Sequence, residues 1–203
     1  MIQRQESSNP FAEVIESSLH TFKAQSWQWD YFPPFGSLVS SVSSGRTIIG
    51  IVYQMSTGSM DPGRTPFAYK KTHAQLLAEQ PQIFEFLKTT FDCVTIGYEQ
   101  EGTVRYLVAP EPPAIHSFIT PLALSSYKSF LAETHYIQIL FAQAGLIGCI
   151  DELLLALLVQ QQRLNLLTSE RIATFIEYFN LLTGNDYRRL KLFLQRAQQI
   201  LTL

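Results

Sequence analysis

The chain lacks a phosphate-binding loop, and that absence excludes more than any other. Ser43-Ser44-Gly45-Arg46-Thr47 has no lysine and no following helix, and Gly145-Leu146-Ile147-Gly148 is apolar, so both read as turns. Charge is scarce too. Only 16% of the 203 residues are charged, against 46% hydrophobic, and 15 basic residues face 17 acidic ones at a pI near 6.1. A chain so balanced projects no field that would gather nucleic acid or an anionic membrane, which argues against a general nucleic-acid binder. Two cysteines, Cys93 and Cys149, stand far apart without the close spacing of metal thiolates or redox motifs, and are expected to be buried free thiols in a reducing compartment. His20, His73, His116 and His135 are dispersed, and none has a second ligand residue at helical i+4 spacing, so no metal site is expected. No nucleophile, base and orienting group fall into a set, which points away from an enzyme, and no cofactor is implied.

Long apolar runs are also missing. The first ten residues, Met1 to Pro10, are polar, so no secretory signal is expected and the chain is assigned to the cytoplasm. Ile137 to Val159 is the most membrane-like stretch, but Gln138, Gln143, Gly145, Gly148 and the pair Asp151-Glu152 interrupt it. A mid-bilayer carboxylate pair is costly, so two buried helices meeting near the glycines are expected there.

What is present is strand grammar at the front and helix grammar behind. Phe35 to Ser40 and Thr47 to Tyr53 flank a Ser43-Ser44-Gly45-Arg46 turn, as in a hairpin whose alternate side chains enter a core. Phe91 to Glu99 and Thr103 to Ala109 repeat the pattern around Gln100-Glu101-Gly102. Residues 11–25 read two ways: Phe11, Val14, Ile15, Leu19 and Phe22 recur at helical spacing, yet β-branched and aromatic residues around Ser17-Ser18 also fit strand, turn, strand. Trp27 to Pro34 is an aromatic connector that two prolines hold extended. Thr72 and Gln75 form a capping box for a helix that Pro81 splits. From Ser125 onward the period becomes helical, with four amphipathic helices over 127–141, 146–164, 169–183 and 186–201 packing as antiparallel neighbours. In the last of them, Arg188, Arg189, Lys191 and Arg196 are expected to complement the helix dipole without an anionic partner.

Phe11-Ala12-Glu13-Val14-Ile15-Glu16-Ser17-Ser18, the hairpin from Gly36 to Val52, Asp61-Pro62-Gly63-Arg64-Thr65-Pro66, Glu79-Gln80-Pro81-Gln82-Ile83-Phe84 and Pro112 to Phe118 together resemble the HAS-barrel proteins of cyanobacteria and plastids. HAS names the barrel shared by HerA-type translocases and the catalytic subunits of rotary ATP synthases. The likeness covers about residues 11–120. It implies six or so barrel strands, which favours strands over helix at 11–24, and a cyanobacterial or plastid-related habitat. In the motors this barrel precedes a nucleotide-binding core and packs beside its copies in a ring; the downstream segment here has no such core.

The sequence therefore predicts an α+β protein. An antiparallel barrel over 9–122, with a split helix inserted at about 72–90, is followed by a four-helix unit over 123–203. The expected function is a non-enzymatic interaction or assembly factor, cytoplasmic or on the cytoplasmic face of the thylakoid. It would bind protein partners, self-associate through barrel or tail, and touch a photosynthetic membrane only peripherally, without a span. The alternative is a small-ligand or nucleotide-sensing subunit with a pocket between the 61–71 loop and the barrel mouth. Candidate binding residues are Arg64, Tyr69, Lys70 and Lys71, a local basic and aromatic cluster, and His116, which follows the rigid Pro112-Pro113. A guanidinium on a stiff loop suits carboxylate or phosphate capture, but an internal ion pair between Arg64 and Asp61 or Glu79 is the commoner use of such a loop arginine, and for His116 packing around one satisfied hydrogen bond outweighs a binding role.

Overall fold

A computed structural model describes residues 9–61, 63 and 65–201. Its strands are β1 (Ala12–Ser17), β2 (Thr21–Ser26), β3 (Leu38–Ser43), β4 (Arg46–Ser59), β5 (Leu87–Gln100), β6 (Thr103–Arg105) and β7 (Phe118–Pro121). They are hydrogen-bonded in the order β2-β1-β7-β3-β4-β5-β6, and β2 also pairs with β5, so six strands close into an antiparallel barrel with β6 outside on β5. Residues 12–26 are thus strands, as the resemblance implies, and the helical spacing over 11–25 is not realised. Ser18, at the β1–β2 turn, accepts the Thr21 N–H at 3.1 Å, a local bond that favours reversal over helix.

Both faces of the barrel wall are apolar where the helices cover it, so its strands read as runs rather than clean alternation. Val39, Val52, Cys93, Phe22 and Ile119 fill one core cluster together with Phe11 and Phe91. Their chain neighbours Leu38, Ile51 and Val94 turn the other way, into a second cluster with Phe130, Ile137, Leu140, Leu153 and Leu157 from the helices. Bulges in β1 between Val14 and Glu16, in β4 between Val52 and Gln54, and in β5 at Ile96, opposite Ile49 and Gly50, supply the bend a closed sheet needs.

β4 and β5 run on past the barrel as a ribbon, pairing down to Ser59 and Leu87. Helices α1 (His73–Glu79) and α2 (Gln82–Glu85) occupy the excursion between them, split at Pro81 and opened by the Thr72–Gln75 capping box as expected. The helical insertion is shorter than 72–90 because Thr89 and Thr90 pair their hydroxyls across the ribbon with Thr57 at 2.7 Å and Ser56 at 3.2 Å, holding 87–90 as strand. Trp29 anchors the excursion: its ring stacks on Phe84 at 5.4 Å, and its carbonyl accepts the Thr89 hydroxyl.

Behind β7 follow α3 (Leu124–Phe130), α4 (His135–Ala142), α5 (Ala144–Ile147), α6 (Ile150–Arg163), α7 (Ser169–Leu182) and α8 (Tyr187–Leu201). The first two expected helices are each broken in two. The Phe130 carbonyl accepts the Tyr106 hydroxyl at 2.6 Å at the first break, and Gly148, at φ +79°, ends α5 at the second. Thr168 caps α7 by accepting the Arg171 N–H, and Asp186 accepts the Arg189 N–H at the start of α8. Two of the four α8 cations have anionic partners, contrary to expectation: Arg189 grips Asp151 at 2.6 and 3.2 Å, and Arg196 reaches Glu152 at 2.6 Å, tying α8 to the first turn of α6. Cys93 is buried as expected, whereas Cys149, at the α6 N-cap, is exposed. The chain turns there before the buried face of α6 begins at Ile150. Among the described residues no helix is long and apolar enough to cross a membrane.

Candidate functional site

Among the described residues, those singled out from sequence do not converge. Arg64 lies outside the described residues. Tyr69 is half-buried with its ring 4.3 Å from that of Phe67, Lys70 is exposed at φ +56°, and Lys71 pairs with Glu79. His116 sits far along the chain before β7, at φ +64°, where its N–H donates to the Val14 carbonyl at 2.9 Å and its Nδ1 stands 3.3 Å from Glu13 Oε2. Among the described residues no hydrogen bond, ion pair or ring contact joins His116 to 65–71. Nor does any cluster of three His, Cys, Asp or Glu there present itself to a metal.

Two other places stand out. The first is the outer wall of the barrel at β1, β7 and β3. Phe118 lies opposite Glu13 across β1 and β7, and carrying the β3–β7 register one step past Ser41–Ile119 sets Val42 beside Phe118. Trp27, just past β2, packs edge-on against Phe118 at 5.4 Å and donates its indole N–H to Glu13 Oε1 at 3.1 Å. The exposures are 53% for Trp27, 53% for Phe118 and 69% for Val42, with Glu13 and His116 as a polar margin. Large apolar groups clustered in this way on a soluble surface mark contact sites.

The second is a cleft of about 380 Å³ between barrel and helices. The Tyr31-Phe32-Pro33-Pro34 connector forms one wall, Leu38 and Val39 the floor, Pro121 to Leu124 and Tyr127 another wall, and the last turn of α6, with Gln160, Arg163 and Leu164, the rim. Tyr127 is 5% exposed, and its hydroxyl accepts the Leu38 N–H at 3.1 Å. Burial pushes its phenol well above the usual range, with that N–H acting in the opposite direction. The phenol is therefore neutral and keeps a proton to donate. A smaller cleft of about 370 Å³ lies among the helices, where Gln161 Nε2 is buried without a partner and burial likewise raises Tyr136, but there Glu170 stands beside Arg171.

Neither cleft takes a lining residue from the described part of 61–71. Sequence reasoning saw the 31–34 connector only as an extended link. The prolines that stiffen it are the signal that it could serve as a wall, but its partners at 121–127 and 160–164 carry no local mark. Compared with known proteins, the chain matches no family model and no curated protein.

Proposed function

We propose that this protein is a non-enzymatic interaction or assembly module, in which a barrel without a motor core presents a side-chain surface to a protein partner. The observation that carries this reading is the Trp27, Phe118 and Val42 face, where one aromatic pair is held in place by an indole–carboxylate hydrogen bond rather than by burial. Trp and Phe of this kind anchor protein interfaces, and a bonded Trp loses little freedom on docking. The resemblance to HAS barrels, which pack against neighbouring barrels, supports a role in association and a site of action in the cytoplasm or at the cytoplasmic side of a photosynthetic membrane. The partner is another protein or a second copy of this chain.

Affinity capture of the tagged full chain, with light scattering at high concentration, tests the reading. A Trp27→Ser/Phe118→Ser double variant should lose the captured partner or the self-association while keeping its melting temperature. A monodisperse monomer that captures no specific protein overturns it. A second reading, ligand sensing, is favoured by the cleft between barrel and helices rather than by the 61–71 loop.

A further inference from the structure

The polar side chains lining the cleft of about 380 Å³ are Tyr31, Ser37, Tyr127, Gln160 and Arg163, and the Ser37 hydroxyl already donates to the Pro34 carbonyl. Arg163 makes no ion pair and no side-chain hydrogen bond among the described residues, and the Gln160 side chain is likewise unspent. Tyr127, buried at 5% exposure, receives the Leu38 N–H but has no acceptor for its own proton. Among the described residues no aspartate or glutamate lines the cleft. A buried hydroxyl with an unused donor on the inner wall, a half-buried free amide and, at the solvent-exposed rim, an unpaired guanidinium stand among proline, leucine and aromatic carbon, so the lining offers donors to a ligand head group and apolar surface to its tail.

We propose that this cleft binds a single-chain fatty carboxylate, its head against Arg163, Gln160 and the Tyr127 hydroxyl and its tail along Leu38, Val39 and the Pro33-Pro34 wall. The inference deepens the ligand reading of the cleft and is independent of the Trp27 face. The carboxylate answers three donors at once, since each of its oxygens accepts more than one hydrogen bond and Arg163 adds a charge-assisted pair. An alcohol of the same length offers one acceptor and no charge. An amine brings a cation to a cation and is repelled. The neutral phenol matters: a tyrosinate there would repel the head group, and burial keeps the proton on.

The test titrates the purified full chain with decanoate, decanol and decylamine below their micellar concentrations, read by calorimetry and by thermal shift. Decanoate should bind and raise the melting point, decanol should bind more weakly, and decylamine should not bind. Arg163→Gln should weaken decanoate by about tenfold or more while leaving decanol unchanged, which is the loss expected of one charged hydrogen-bonded pair. Ala123→Trp, at an exposed position on the cleft wall, should block both ligands without lowering the melting point. Equal binding of decanoate and decanol, or decanoate affinity unchanged in Arg163→Gln, overturns the carboxylate assignment and leaves the ligand reading standing. No binding of any of the three overturns both.

Discussion

Gly36 holds φ at +76°, and a Cβ built on it would stand 2.6 Å from the Ala156 Cβ and 2.9 Å from the Ala156 carbonyl carbon. The missing side chain therefore lets α6 lie directly on the barrel mouth, and both the backbone strain and the clash fall on any replacement. Gly36→Ala should cost about 2–4 kcal/mol of stability in urea unfolding, the sum of a left-handed residue and an overpacked contact. A loss of only about 1–2 kcal/mol, the cost of the left-handed residue alone, would show that α6 is free to back away. The thiols make a second prediction at this scale. Burial, with the Asp92 charge adding to it, pushes Cys93 well above the usual thiol range, whereas Cys149 is exposed. Native protein should react with a thiol reagent at Cys149 alone, and denatured protein at both; early labelling of Cys93 would mean that the barrel opens readily.

At the scale of elements, α8 is held to α6 by Arg189–Asp151 and Arg196–Glu152. The Arg196 hydrogen bond, ahead of the opposing desolvation, lowers Glu152 below its ordinary 4.5. A carboxyl depressed on folding contributes stability that is present above its unfolded value and lost as pH falls through its folded one. Glu152→Gln should therefore flatten the acid limb of the melting profile below the ordinary 4.5, and an unchanged limb would show the pair adds nothing. Added salt should shrink the same difference, because the pair is exposed. Several of these elements were legible beforehand. The β3–β4 hairpin was plain in its turn residues, and the α1 cap in Thr72 and Gln75, because both signals are local. β7 was not seen as a strand, since Phe118–Pro121 is four residues long and ends in proline, and only its neighbours β1 and β3 make it one. Nor could the break between α3 and α4 be seen, because the Tyr106 hydroxyl that takes the Phe130 carbonyl comes from another part of the chain.

For the whole molecule, one apolar cluster runs from the barrel residues Ile49, Ile51, Val94 and Ile96 into the helices through Phe130 and Leu153. Barrel and helices should therefore melt together, giving coincident transitions by tryptophan fluorescence and by far-ultraviolet dichroism; two separated transitions would contradict a shared core. Phe130→Ala, at a side chain with no exposure, should cost about 3–5 kcal/mol and lower both signals at once. The cleft belongs to this scale as well. Its walls come from residues 31–39, 121–127 and 160–164, so no window of sequence contains it. Nothing in the sequence around Arg163, in the last turn of α6, marks it out; only the fold sets it among proline and leucine, with no acid among the described lining residues.

Closing the barrel requires Ala12 to meet Ile119, and Val39 to meet Pro121. During synthesis the first strand thus emerges long before its last neighbour exists, and at about 5–20 residues per second the wait is several seconds. Over that interval the open edges of β1 and β3 are bare backbone looking for any strand. The nascent chain is thus most exposed to mispairing before the short β7 arrives, and a helper that shields those edges would act on the ribosome-bound chain rather than on the finished protein.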